Sequence, residues 1–150
     1  MKRTLLFSLL TTVMVTGFSC SAVLETPEDR IEGTWVLERA ERNNFFNWQD
    51  IYTGYEAGEF TFYNNGDVVY RDNLGNLNGR WYMQTINDGY YDSNGNYQET
   101  RRNTLSLRLY NFSNNRIIDW VFDDFNVNRY RFTAQYETPN YQYRYKFYRK

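Results

Sequence analysis

The chain has 150 residues, with 17 lysines and arginines against 18 aspartates and glutamates, one cysteine and no histidine. That balance gives no sign of the basic face a nucleic acid needs, the lone cysteine excludes an intramolecular disulfide, and the missing histidine removes the usual general base and commonest metal ligand. Fifteen tyrosines, 11 phenylalanines and only 2 prolines favour strands.

Lys2 and Arg3 open the chain, Thr4 to Phe18 form a mostly apolar stretch, and Gly17-Phe18-Ser19-Cys20 closes it. The stretch is shorter than the ~20 apolar residues of a membrane-spanning helix and is interrupted by Thr4, Ser8, Thr11, Thr12 and Thr16. It reads as an export signal over residues 1–19. Ser19-Cys20 resembles the cleavage site of bacterial lipoproteins. That resemblance implies a diacylglycerol on the Cys20 thiol and a chain anchored in the cell envelope, at an outer membrane. Two or three acyl chains hold firmly where one myristoyl chain holds only marginally. Residues 20–30, with Pro27 and several acids, read as a lipidated tether. Loss of the signal removes two basic residues and leaves a net charge near −3.

From residue 31 to 150 the pattern is alternating segments broken by Asn, Gly and Asp, which predicts an all-β antiparallel domain of eight strands. The first spans Ile31 to Glu41, followed by a long connection, Arg42 to Ala57, with room for a short helix. Gly58–Asn64 and Asp67–Asp72 flank Asn65-Gly66, whose residues accept the positive φ of a tight hairpin turn. Leu77–Thr85 follows, then a polar connection from Asn87 to Glu99. Thr100–Tyr110, Arg116–Phe122, Asn126–Glu137 and Tyr141–Arg149 complete the set, with Pro139 in the last turn because it cannot donate to a ladder. Eight sequential strands expose two edges, and closure into an up-and-down barrel removes them.

Gly33-Thr34-Trp35 on the first strand, the run Phe60 to Val68 around Asn65-Gly66, and Gly79-Arg80-Trp81 further on together resemble the bacterial lipocalin-like family. The similarity covers residues 31–150. It implies a barrel with an internal calyx for one small apolar or amphipathic ligand. It also implies that Trp35 closes one barrel end beneath a basic residue of the last strand, either Arg144 or Arg149.

Alternation places Trp35, Leu37, Phe60, Phe62, Trp81, Met83, Leu105, Leu107, Tyr130, Phe132, Tyr143 and Tyr145 inward. These residues either line a ligand cavity or fill the barrel, and the summed ring volume favours filling. Tyr90, Tyr91 and Tyr97 form a candidate partner-binding rim for an envelope protein or polysaccharide. Phe45, Phe46, Trp48 and Tyr52 lie in the first loop, which folds back as a plug or stands exposed; a plug is favoured for Phe45, Phe46 and Trp48. Asp92-Ser93-Asn94-Gly95-Asn96 is spaced like the start of a calcium loop, but Tyr97 and Asn103 stand where that loop needs Gly and Glu, so a plain turn is expected. Asp119, in an apolar strand, is expected to face outward beside an arginine. No nucleophile and base are arranged for catalysis. The expectation is a non-enzymatic binding module, without cofactor or metal, whose alternative is a structural accessory of an envelope complex.

Overall fold

The computed structural model describes residues 25–44 and 47–150. The export signal, the lipidation candidate Cys20 and the loop rings Phe45 and Phe46 lie outside the described residues. The domain begins with a helical turn, α1 (Pro27–Ile31), inside the stretch expected to be a tether. Its start is fixed reciprocally: Asp29 N–H donates to the Thr26 hydroxyl at 3.2 Å, and Thr26 N–H donates to the Asp29 carboxylate at 2.9 Å. Pro27 opens the turn, where its missing N–H costs nothing.

Ten strands follow: β1 (Gly33–Asn43), β2 (Trp48–Ile51), β3 (Glu59–Phe62), β4 (Asp67–Asp72), β5 (Gly75–Tyr91), β6 (Tyr97–Asn111), β7 (Arg116–Phe122), β8 (Asp124–Val127), β9 (Arg131–Thr138) and β10 (Tyr141–Arg149). All pair antiparallel in one sheet, in the order β7-β6-β5-β4-β3-β1-β10-β9-β8, with β2 on the flank of β1. The sheet has ten strands where eight were expected, and its two end strands, β7 and β8, are not paired with each other. The chain passes from β7 to β8 across the single residue Asp123, whose N–H donates to the Gln135 carbonyl at 2.8 Å. One run of chain thus pairs first with β6 and then with β9.

The two extra strands have separate origins. The first loop holds strand β2 paired with the end of β1, rather than a helix. The expected strand 126–137 is broken at residues 128–130, because the Asn128 side chain accepts from Tyr130 N–H and Arg131 N–H, both at 2.9 Å, and turns the chain. The expected connection 87–99 is also replaced: β5 and β6 stay paired from Asn78↔Tyr110 to Tyr91↔Tyr97. Beyond Arg80, β5 has no partner in β4, so the two strands continue as a projecting ribbon.

β5 and β6 approach closely at Gly79, where a Cβ would stand 1.8 Å from the Arg108 carbonyl oxygen and 2.6 Å from Leu109 Cα. Only glycine fits there. At the chain's entry, Trp35 is fully buried and donates its indole N–H to the Ile31 carbonyl at 2.7 Å. The Arg149 guanidinium lies 4.5 Å over the Trp35 ring and donates to the Glu32 carbonyl at 2.9 Å and to the Arg30 carbonyl. Of the two arginines left open by the sequence, Arg149 therefore covers Trp35. Arg149→Met is expected to cost about 2 kcal/mol in urea unfolding, since it removes charged hydrogen bonds and a cation–π contact together.

Candidate functional site

Ten of the twelve residues assigned to the interior are buried: Trp35, Leu37, Phe60, Phe62, Trp81, Met83, Leu105, Leu107, Phe132 and Tyr145. Tyr143 is half-buried against them. Tyr130 corrects the expectation, because it is 69% exposed in the turn between β8 and β9. The alternation that seemed to place it beside Phe132 runs through the Asn128 turn, and a turn resets the parity.

The buried rings touch one another across the sheet. Phe132 and Phe147 stack at 4.1 Å, Trp35 meets Phe132 edge-on at 4.9 Å, and Phe62 meets Trp81 at 6.0 Å. Further along, Trp120 and Phe122 of β7 reach Tyr145 of β10 at 5.1 and 5.2 Å. Burial raises the Tyr145 hydroxyl well above its ordinary range, with the neighbouring Tyr136 adding to the effect. That phenol is therefore held neutral and offers no base.

Among the described residues of the first loop, Tyr55, which was not among the rings expected to plug it, closes over this cluster. Tyr55 packs edge-on against Tyr70 at 5.3 Å and Trp120 at 5.6 Å, and its hydroxyl donates to the Ile117 carbonyl at 2.9 Å. Glu56 shapes the loop by accepting from Thr53 N–H at 2.7 Å and Gly54 N–H at 3.0 Å. Trp48 lies instead under the Arg144 guanidinium at 3.9 Å, and Tyr52 is exposed. Arg144 and Lys146 also hold Glu41, at 2.8 and 3.0 Å. Burial pushes that carboxyl up, but the bonds and charges of Lys146 and Arg144 outweigh it and leave it ionised below its usual range.

Beneath Tyr55, Arg116 forms a two-pronged ion pair with Asp72, at 3.0 and 2.6 Å. The side chains are 18% and 4% exposed. The guanidinium bonds of Arg116 hold the Asp72 carboxyl below its usual range despite burial. Nothing in the local sequence pointed to this pair, whose members stand 44 positions apart and meet only because β4 and β7 converge under the loop.

Tyr90, Tyr91 and Tyr97 are 56%, 73% and 60% exposed at the tip of the β5–β6 ribbon, with the Tyr91 and Tyr97 rings 5.4 Å apart. Tyr97 also lies over Gly89, where a Cβ would come 1.9 Å from its hydroxyl. Between them, Asp92 accepts from Asn94 N–H and Asn96 N–H, both at 2.9 Å, and those bonds lower its carboxyl pKa, the Asn96 amide first. The calcium-like spacing is thus a turn in which the carboxylate serves the backbone. Asp119 faces outward and pairs with Arg108 at 3.0 Å, as expected.

The structure also holds open clefts that the sequence reading did not locate. One, of about 210 Å³, lies where the chain steps from β7 to β8 and is lined by Arg102, Asp123, Asp124, Glu137, Tyr136 and Tyr143 among others. Its two tyrosine rings stack at 4.5 Å. Comparison with protein-family models, curated proteins and solved structures finds no match to this chain.

Proposed function

We propose that this chain is a lipid-anchored, non-enzymatic, lipocalin-like barrel of the cell envelope, whose interior is occupied by its own side chains and which binds through its surface. Counting Arg116 to Val127 as one strand bent at Asp123, and setting the flanking β2 aside, leaves eight sequential antiparallel strands, which supports reading the sheet as an up-and-down barrel. The Trp35–Arg149 pair supports the lipocalin-like reading, since it is the closure that the resemblance implies. The observation that carries the choice of surface over interior is ring-to-ring packing from Trp35 through Phe132 and Phe147 to Phe60, under a loop closed by Tyr55. A ligand in the calyx would have to displace rings already in contact, losing dispersion and aromatic contacts that the chain makes with itself. On the surface, the ribbon gathers Tyr90, Tyr91 and Tyr97 exposed at one tip, and binding is assigned to it.

Titration of the full chain with an apolar dye and with a long-chain fatty acid tests this reading. No saturable binding is expected at micromolar ligand. Saturable one-to-one binding that loosens when Leu107 is replaced by tryptophan would overturn the filled interior and restore ligand carriage.

A further inference from the structure

The strand register fixes which end of the sheet the ribbon leaves. β1 starts at Gly33 opposite Phe62, the end of β3, and β4 starts beside them at Asp67, opposite Arg80 of β5. β5 runs from Gly75 past Arg80 and continues to Tyr91, so the ribbon projects from the end where β1 begins. That is also the end where α1 enters the domain under Trp35 and Arg149.

Other loops at this end present tyrosine too. Tyr63, before the Asn65-Gly66 turn, is 46% exposed, and Tyr130 lies in the β8–β9 turn, whose carbonyl accepts from Arg149 N–H at 2.8 Å. From Ile86 to Tyr91, five residue steps, the ribbon extends about 17 Å at ~3.3 Å per residue. Between Cys20 and the described residues stand only Ser21 to Leu24, and the five residues from Cys20 span at most roughly 17 Å. A leash of that length and a ribbon of about the same length, leaving from the same end, bring the ribbon tip within reach of the surface that holds the barrel.

We infer that the β5–β6 ribbon is a second membrane contact, its tip tyrosines entering the headgroup layer of the bilayer in which Cys20 is anchored. This rests on the lipid anchor of the proposed function and names the partner of its aromatic ribbon. Tyrosine suits that layer, with an apolar ring for the acyl boundary and a hydroxyl for water and headgroups. From Ile86 to its register partner Arg102 the ribbon carries Asp88, Asp92 and Glu99 against Arg101 and Arg102. The contact is therefore aromatic rather than a basic patch on anionic lipid, and added salt leaves it in place. Lipid anchor and ribbon together set the barrel's orientation, with the loop end that carries Tyr55 turned away from the membrane.

The lone native cysteine makes the test direct, because its thiol is blocked by lipid in the mature chain. Ser93→Cys, in the ribbon turn, and Ser113→Cys, in the β6–β7 turn at the opposite end, each accept one polarity-sensitive fluorophore. The full lipidated chain is incorporated into phosphatidylcholine vesicles, floated on a density gradient, and probed with lipids brominated near the headgroup. Severalfold stronger quenching at position 93 than at 113 is expected, unchanged by salt, and lost when Tyr90, Tyr91 and Tyr97 are all replaced by serine. Equal, weak quenching at both positions in a chain that floats overturns the ribbon contact and leaves the anchor standing. A chain that does not float removes the anchor reading, and the ribbon inference falls with it.

Discussion

Phe132→Ala is expected to destabilise the domain by about 4 kcal/mol, the middle of the range for emptying a fully buried phenylalanine site. Phe132 stacks on Phe147 at 4.1 Å and meets Trp35, Phe125 and Phe62 at 4.9, 5.4 and 6.1 Å. Those neighbours come from β10, β1, β8 and β3, so no single strand can shift to refill the space. Tyr130, two residues earlier, supplies the internal control: it stands exposed in a turn, and Tyr130→Ala is expected to stay within about 0.5 kcal/mol. Urea unfolding of the two variants side by side separates a packed interior from one able to collapse. A loss below about 1 kcal/mol for Phe132→Ala would mean that the ring was not holding these strands together.

The second large effect lies at the buried ion pair. Arg116→Met leaves the Asp72 carboxylate, 4% exposed, without its guanidinium, and is expected to cost about 4 kcal/mol at neutral pH. Adding Asp72→Asn should recover a large part of that loss, because it discharges the stranded group while keeping an oxygen for Leu74 N–H, which donates to Asp72 at 2.8 Å. The pH dependence follows from the lowered Asp72 pKa. Its stabilisation is complete above the ordinary value of 3.8 and is lost as pH falls through the folded-state value below it. Wild type should therefore weaken relative to the double variant as pH drops from about 5 to about 2. Parallel curves across that range would contradict the assignment. Glu41, Glu56 and Asp92 are also held below their usual range and add acid sensitivity common to both proteins.

Much of the sheet was legible because alternation and turn chemistry agree along it. Asp67–Asp72, Arg116–Phe122 and Tyr141–Arg149 have the expected bounds, and Asn65-Gly66 lies in the turn between β3 and β4 as expected, although only Gly66 takes the positive φ, at 82, and Asn65 does not. The failures share one cause: period two carries no information about where a strand loses its partner. Asn87 to Glu99 reads as a connection because its apolar face is missing, yet the backbone stays laddered into a solvated ribbon. Asn126 to Glu137 reads as continuous because Tyr130, Phe132 and Ala134 alternate, whereas the Asn128 side chain caps a turn just before them. The plug was legible only as a property of the loop. Which ring closes it depends on the Ile117 carbonyl that Tyr55 meets, a contact 62 positions away. The Asp72–Arg116 pair was out of reach for the same reason, since charge at a distance in sequence leaves no local pattern.

The pairing of β1 with β10 has a consequence for how the molecule comes into being. The first strand in chain order finds its main partner in the last, with Trp35 set against Arg149, and that same arginine ties down the carbonyls before β1. The central hairpins can form as soon as their residues are free, since their contacts are local. The core beneath Trp35 cannot close until β10 arrives, and a contact of such separation is slow to find, on the scale of milliseconds to seconds for β-rich domains. If the chain is exported N-terminus first, as the proposed function requires, it stays unfinished until its last strand is through. In that case slow closure works in favour of threading, because the late strand decides when the polypeptide becomes too compact to pass.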